Sequence, residues 1–357
     1  MDISKYDGNI HPDEWINDIR KYFILRPISN SNNECLKAAL LSVDSNISLP
    51  TGIDNYERLR NALKEDISFT IFKNTNKRKL QSLKYIPERK GGDTSNFISN
   101  FRKLCYNAEI NDIKEQKKYL YKSLPNNHFD YISNEFYKKM ENVNSTNELI
   151  KEFEDIILEE SNLIRNGSIV ALKHVATEKY LNSISNLCYT TGSIQQLVIV
   201  GSSEPDPNSL WNIQFNNEFA TYADTSITLQ HIKSNKFLGL YYGYNKDKTF
   251  YDYQLSPVTE HTEVCCDGTD AGWKFSHSKL KNHQEYLKSN DIINLSIKKS
   301  YDNNGNYTQN GPDEFLRSHD VQFTIGNDIF QEVVCHNERL GGNDEWCIEL
   351  IHEVNIF

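Results

Sequence analysis

His319 beside Asp320 is the pair that comes nearest to a general base with an orienting carboxylate. Such a base needs a nucleophile and a bound substrate within reach, and adjacent residues on an extended segment point to opposite faces. The pair is therefore assigned to a hairpin turn, and no catalytic residue is named in the chain. His174 and His231 occupy matching places in two internal repeats, with Ile297 at the third. A metal would need the two rings to converge, whereas threefold symmetry holds equivalent positions apart. They are read as hydrogen-bonded strand histidines, with no metal and no cofactor expected. The seven cysteines (Cys35, Cys105, Cys188, Cys265, Cys266, Cys335 and Cys347) are odd in number and contain no CxxC pair. Neither a zinc knuckle nor a disulfide framework follows, and a reducing cytoplasmic or nuclear compartment is expected. Gly341-Gly342-Asn343 reads as a turn, because no phosphate-loop lysine follows it.

A cationic run, Lys73, Lys77, Arg78, Lys79, Lys84, Arg89 and Lys90, could track an RNA backbone. Only Tyr85 lies within it to stack on a base, so the solvated face of a helix and a loop is the preferred assignment. Residues 1–165 hold 25 Lys/Arg and 25 Asp/Glu, while residues 166–357 hold 14 and 24, a net of −10. So acidic a half repels phosphate backbones and anionic lipid surfaces. Nucleic acid, heparin-like and inositol-phosphate ligands are thus disfavoured for it. No run of 18 apolar residues occurs, and no apolar stretch follows a basic start at the N-terminus. Neither a membrane span nor secretion is expected.

The elements that position these residues change character near Leu163–Gly167, the expected joint between a domain over 1–165 and another over 166–357. Apolar spacing in the first is helical. Pro12-Asp13-Glu14-Trp15 opens a helix whose face carries Trp15, Ile16, Ile19, Tyr22 and Phe23. A second covers Cys35 to Val43, and a third opens at Asp54 and Asn55 and runs through Ile67. Gly91-Gly92 breaks the chain, and Asp93 or Thr94 caps a helix bearing Phe97, Ile98, Phe101, Leu104 and Cys105. Asp112-Ile-Lys-Glu115 has capping-box spacing for a helix ending at Leu124-Pro125. Two more follow, around Ile132–Met140 and from Thr146 to Ile164, the latter with Glu154-Asp155 and Glu159-Glu160 on its exposed face.

Beyond Gly167 one unit is written three times. Its first strands are Ile169–His174, Ser226–His231 and Ile292–Ile297; its hairpins begin at Tyr180-Leu181, Phe237-Leu238 and Phe315-Leu316; it closes on Trp211, Trp273 and Trp346. A single unit cannot bury its own apolar face, but three can close a short barrel with a hairpin cap. Val170/Leu172, Ile227/Leu229 and Ile293/Leu295 would fill the interior, and the tryptophans would cover its base. The excess over a minimal trefoil lies in Tyr241–Gln254 and in the Asn/Gly-rich Tyr301–Asp313.

Two resemblances add to this. Tyr6-Asp-Gly-Asn-Ile-His-Pro-Asp-Glu-Trp15, with Gly92–Cys105, Ala108–Glu115 and Leu120–Pro125, resembles the Gag capsid of gypsy-type retrotransposons. The likeness implies an all-α, two-lobed, self-associating fold of retrotransposon origin. The CCHC knuckle, protease and polymerase are missing. In the second half the Gln-x-Trp signature of ricin-type trefoils is absent, since Ser209, Ala271 and Asp344 stand two before each Trp. The strings Tyr180-Leu-Asn-Ser, Tyr189–Val198, Trp211-x-Ile and Phe315-Leu-Arg-Ser-His-Asp-Val-Gln-Phe323 resemble the MIR domain. That likeness places Gln195, Gln196, Arg317, Ser318, His319 and Asp320 on its loops and hairpins, where a protein or glycan could be contacted. The expected protein is therefore multi-domain α + β, an all-α capsid-like domain followed by an all-β trefoil, and not an enzyme. It would bind a protein or glycan at the trefoil and form a homo-oligomer or dock a partner through its helices. The alternatives are a mannosyl-type glycan module and an RNA-associated assembly protein of co-opted Gag origin.

Overall fold

The computed structural model describes all residues except 1–3, 26–31, 126–130, 190, 223–224, 250, 268–271, 281–284, 303 and 353–357. The chain divides into two compact units, Met1–Glu160 and Ser161–Phe357.

Eight α-helices lie among the described residues of the chain: α1 (Pro12–Leu25), α2 (Asn32–Leu41), α3 (Tyr56–Glu65), α4 (Ile67–Ser82), α5 (Thr94–Asn107), α6 (Ile113–Ser123), α7 (Tyr131–Lys139) and α8 (Thr146–Ser161). Their apolar faces form two clusters. One gathers Trp15, Ile16 and Ile19 of α1 with Leu36, Ala39, Leu59 and Leu63. The other gathers Phe97, Phe101, Leu120, Ile132, Leu149 and Phe153. The Tyr6-Asp7-Gly8 turn needs its glycine: φ is +84°, and a Cβ would lie 2.9 Å from that of Ser68. Caps fall where short polar side chains precede apolar runs, at Asn55, Asp93 and Asp112.

Three helix expectations are corrected. The helix opening at Asn55 does not run through Ile67. Asp66 is extended there, and its carboxylate accepts from the Ser68 amide, ending one helix and capping the next. The second helix stops at Leu41, since Val43 instead bridges Tyr6. The last helix stops at Ser161, because Leu163 bridges Lys288 and the Ile164 amide donates to the Leu287 carbonyl at 3.0 Å. Leu163 and Ile164 thus belong to the second unit.

Fifteen strands lie among the described residues of that unit. The first repeat has β1 (Ile169–His174), β2 (Lys179–Ser183), β3 (Gln196–Val200) and β4 (Trp211–Gln214). The second has β5 (Ser226–His231), β6 (Phe237–Gly239), an inserted hairpin of β7 (Tyr242–Tyr244) and β8 (Tyr251–Tyr253), then β9 (Thr262–Glu263), β10 (Cys265–Asp267) and β11 (Trp273–His277). The third has β12 (Asp291–Lys298), β13 (Asp313–Ile325), β14 (Asp328–His336) and β15 (Trp346–His352). Six strands close a ring: β1 pairs β4, β4 pairs β5, β5 pairs β11, β11 pairs β12, β12 pairs β15, and β15 returns to β1. The hairpins β2–β3, β6–β10 and β13–β14 form the cap and interlock through β3–β10, β3–β14 and β9–β14. This is a β-trefoil, defined by its pairings.

The expected interior residues all sit in one buried cluster. The tryptophans lie at the ends of β4, β11 and β15 nearest the cap, so the base they cover is the one the hairpins close. Each indole Nε1 donates to a leucine carbonyl on its own hairpin: Trp211 to Leu181 at 3.1 Å, Trp273 to Leu238 at 2.9 Å and Trp346 to Leu316 at 3.1 Å. Trp346→Ala is expected to cost about 3–5 kcal/mol by opening a cavity at the closing strand. Trp346→Phe should cost about 1–3 kcal/mol by leaving the Leu316 carbonyl unpaired. Urea denaturation followed by circular dichroism measures both, and a Phe variant as stable as the parent protein would show that the hydrogen bond contributes nothing.

Candidate functional site

The repeat-encoded polar residues are fasteners of the cap. In the first repeat Gln196 Nε2 donates to Ser183 Oγ at 2.8 Å, and that hydroxyl donates to the Leu197 carbonyl at 3.0 Å. In the third, Gln331 Nε2 donates to Ser318 Oγ at 3.1 Å, and Ser318 donates to the Glu332 carbonyl at 2.9 Å. Gln196 and Ser318 are buried. Half-buried Gln195 sends its amide to Ser193 Oγ at 3.2 Å. Arg317 grips Asp344 with two nitrogens, at 2.8 and 3.2 Å, and reaches Glu338 at 2.8 Å. His319 does not pair with Asp320, which is exposed. Its Nε2 lies 2.8 Å from Glu332 Oε2.

Glu332 and Glu263 hold equivalent places, each three residues before the strand partner of a hairpin leucine. Both are buried beneath the cap. Ser193 donates to Glu263 through its amide at 3.0 Å and its hydroxyl at 2.6 Å, yet burial outweighs those bonds and raises the Glu263 pKa. Burial also raises that of Glu332. Hydrogen bonds from His319, Ser256 and Thr259 outweigh it, so the Glu332 pKa is lowered overall. Two carboxylates pushed in opposite directions are an acid–base signature, but here each oxygen is taken by an internal donor.

His174 and His231 repeat one arrangement. Their Nε2 atoms lie 3.0 Å from the carbonyls of Asn343 and Asn208, and their Nδ1 atoms lie 2.9 and 2.8 Å from the hydroxyls of Thr177 and Ser234. Each ring packs on a tryptophan, at 5.0 and 5.1 Å. Burial lowers both pKa values, keeping the rings neutral.

In the helical unit, Lys73 is held by Glu109 at 3.1 Å and lies over the Phe69 ring, while Arg89 pairs with Glu160 at 3.1 Å. Tyr85, the stacking candidate, is inside the core against Phe97 and Phe153. Lys77, Arg78, Lys79, Lys84 and Lys90 are exposed. A groove of about 960 Å³ between α1, α5 and α8 is lined by Glu14, Lys21, Arg102 and Glu154 with Ile98 and Tyr106.

The residues that do converge on an open surface were not singled out from the sequence. Seven of the chain's 20 tyrosines fall in the two inserts of the trefoil: Tyr241, Tyr242, Tyr244, Tyr251, Tyr253, Tyr301 and Tyr307. Tyr242 stacks parallel on Tyr301 at 4.2 Å and meets Tyr251 and Tyr253 edge to face, each at 5.0 Å. The Tyr253 hydroxyl accepts from the Ser300 amide at 2.7 Å, tying one insert to the other. Two glycines admit these rings. A Cβ on Gly243 would lie 2.5 Å from the Tyr241 ring, and one on Gly305 would lie 2.9 Å from the Tyr242 hydroxyl. The cluster borders a pocket of about 450 Å³ whose lining includes Asp267, Lys298 and Ser300. That size falls within the range of small-molecule sites. The signal that could have found it is the tyrosine density of the two inserts.

No family profile and no curated protein sequence matches the chain. Among solved structures it is similar to the SDF2-like protein from Arabidopsis thaliana, at 24% identity and a TM-score of 0.40 over 52% of this chain and 94% of that one. It is similar to a Caenorhabditis elegans protein of unknown function, at 20% identity and a TM-score of 0.41 over 54% of this chain and 98% of that one. It is also similar to the S. cerevisiae protein O-mannosyltransferase Pmt1–Pmt2 complex bound to the sugar donor. There the identity is 17% and the TM-score 0.39, over 94% of this chain and 37% of that one.

Asp344 supplies a prediction about acid stability. Burial raises its pKa, but hydrogen bonds from His336, Arg317 and the Gly341 amide prevail and hold it at about 2, against 3.8 when unpaired. A carboxylate depressed in the folded state stabilises above its unfolded pKa. On the order of 2 kcal/mol is therefore present above pH ~4 and is lost as pH falls toward 2. Asp344→Asn should lower stability at neutral pH and flatten its dependence between those values, as read by urea titrations at stepped pH. An unchanged slope would remove Asp344 from the acid transition.

Proposed function

We propose that this chain is a non-enzymatic binding protein whose trefoil takes up a glycan or protein ligand and whose helical unit docks a partner or a second copy. One observation carries the reading. The groups that could do acid–base chemistry are held in internal hydrogen bonds that fasten the cap, while an aromatic pocket lies at the inserts. The MIR resemblance rests on the same strings, Tyr180–Ser183 and Phe315–Phe323, which here serve the hairpins. The capsid resemblance is the source of the self-association proposed for the helices, and their two apolar clusters fit its two lobes. Seven free thiols, three of them buried in β10 and β14, suit the reducing compartment proposed for the protein. No helix among the described residues is long and apolar enough to cross a membrane.

The RNA-assembly alternative has lost its stacking residue to the core and two of its cations to ion pairs. Light scattering on the full chain is expected to give one mass with and without added RNA. RNA-dependent particles whose formation falls steeply with salt would replace the proposed reading with the alternative. A second measurement separates fastener from ligand contact. His319→Gln should lower stability by about 1–3 kcal/mol and leave retention on a mannosyl resin unchanged. Loss of retention at unchanged stability would return His319 to the binding site.

A further inference from the structure

The two trefoil inserts are longer than the repeat requires, and their tyrosines pack on one another. Tyr242 is the hub, with Tyr301 flat against one face and Tyr251 and Tyr253 at its edges. Beyond that hub, Tyr301 and Tyr307 stand nearly perpendicular, at 79° with centroids 6.0 Å apart, and pair across the second insert. Tyr307 is 67% exposed and Tyr301 36%. The turn between them is held by Asp302, whose carboxylate accepts from the amides of Asn304 and Asn306, both at 2.9 Å. These bonds and the Tyr301–Tyr307 bridge set the two rings at one corner, which lowers the cost of ordering them around a ligand.

We propose that this corner is a saccharide site, in which an uncharged sugar ring lays its C–H face on Tyr301 and is flanked by Tyr307. The proposal rests on the trefoil being a binding module and names the site and ligand class for it. A tyrosine face carries the negative lobe of its quadrupole and suits the weakly positive C–H groups of a pyranose. Tyrosine also offers large, rigid contact area at low entropic cost. Hydroxyls at the rim of the sugar need both donors and acceptors, and the pocket lining supplies the exposed Lys298 ammonium and the Ser300 hydroxyl, which can both donate and accept.

Charge decides between ligand classes. Asp267 and Lys298 give the lining a net charge of zero, and Lys299 nearby is paired with Glu314 at 2.7 Å while lying over the Tyr253 ring. An anionic sugar meets Asp267 and an acidic half-chain of net −10. A quaternary ammonium ion needs several ring faces around one point. Here the inner faces are spent on Tyr242, and two ammonium groups stand close by.

The test uses the full chain and four neutral probes, the methyl glycosides of mannose, galactose, glucose and N-acetylglucosamine, alongside choline and a sulfated disaccharide. Binding is read by saturation-transfer NMR and titration calorimetry. At least one neutral glycoside should bind, with the affinity falling about tenfold in Tyr307→Ala and in Tyr301→Ala and staying within about threefold in the two Phe variants, which keep the ring face. Choline or the sulfated sugar binding in place of the neutral probes overturns the ligand class. Neutral binding that survives both alanine variants removes this site but leaves the binding module standing. No binding by any neutral probe overturns the saccharide site. Release of free methanol from a glycoside in the same samples would instead overturn the non-enzymatic reading, whatever the tyrosine variants do. Unfolding profiles of the variants check that Tyr301→Ala folds. Exposed Tyr307 provides the independent arm if it does not.

Discussion

A ring of short strands becomes a barrel only if the first and last strands meet, and in this chain that duty falls on β1 and β15. Residues 169–174 pair with 346–352 across the sequence length of the whole second unit. The pairing brings Trp346 opposite His174, so the indole that pins the third hairpin also packs the histidine that orders the turn after β1. The same coupling recurs between Trp211 and His231. Two of the three repeat junctions are thus locked by a contact that joins barrel strand, cap hairpin and turn. The Ser–Gln pairs of the cap close within one repeat, whereas His174, His231 and Glu263 take their partners Asn343, Asn208 and Ser193 from a neighbouring one.

This explains what could be read from residues alone. The repeat was legible because closure forces equivalent positions to do equivalent work. Val170, Ile227 and Ile293 fill one interior, and three tryptophans pin three leucine carbonyls. Even the exception obeys the rule: Ile297, opposite Trp273, fills the third histidine's place with an apolar side chain. The helices were legible wherever a cap or a broad apolar face marked them. The separate start of the helix over residues 67–82 was not, because α4 buries only Phe69, Asn76 and Leu80. Its start is set by Asp66, a residue that reads equally well as the interior of a longer helix. Leu163 and Ile164 continue the apolar spacing of α8 but are claimed by strand pairing, a tertiary effect invisible to local periodicity.

The functional residues divided less favourably. The strings that look chemical, Ser318-His319-Asp320 and Gln195-Gln196, are conspicuous because the repeat writes the serine and glutamine twice, at Ser183–Gln196 and at Ser318–Gln331. Repetition reports structural demand, so a residue repeated with the fold is more often a fastener than a ligand contact. The buried glutamates were missed for the opposite reason. Glu263 and Glu332 replace an apolar residue, Leu197, at the same place of the first repeat, and only the register reveals the equivalence. Their burial is tolerable because Ser193, Ser256, Thr259 and His319 are delivered to them by three different loops and strands.

Specificity in such a fold has to come from what the symmetry does not specify. A trefoil core tolerates little variation, since each buried position serves a closed ring of neighbours, but the segments joining its strands are free to lengthen. Here two such segments, in different repeats, have acquired tyrosines that pack on one another across the surface. Glycines at 243 and 305 matter because close ring packing leaves no room for a Cβ there. Each insert pairs with itself, β7 with β8 and Tyr301 with Tyr307, and the Tyr253 hydroxyl joins the two by accepting from the Ser300 and Tyr301 amides. In the proposed reading the repeat builds a scaffold indifferent to ligand, and the departures from the repeat carry the recognition chemistry: aromatic faces and one ammonium, set on a half-chain whose net charge of −10 disfavours phosphates and sulfates.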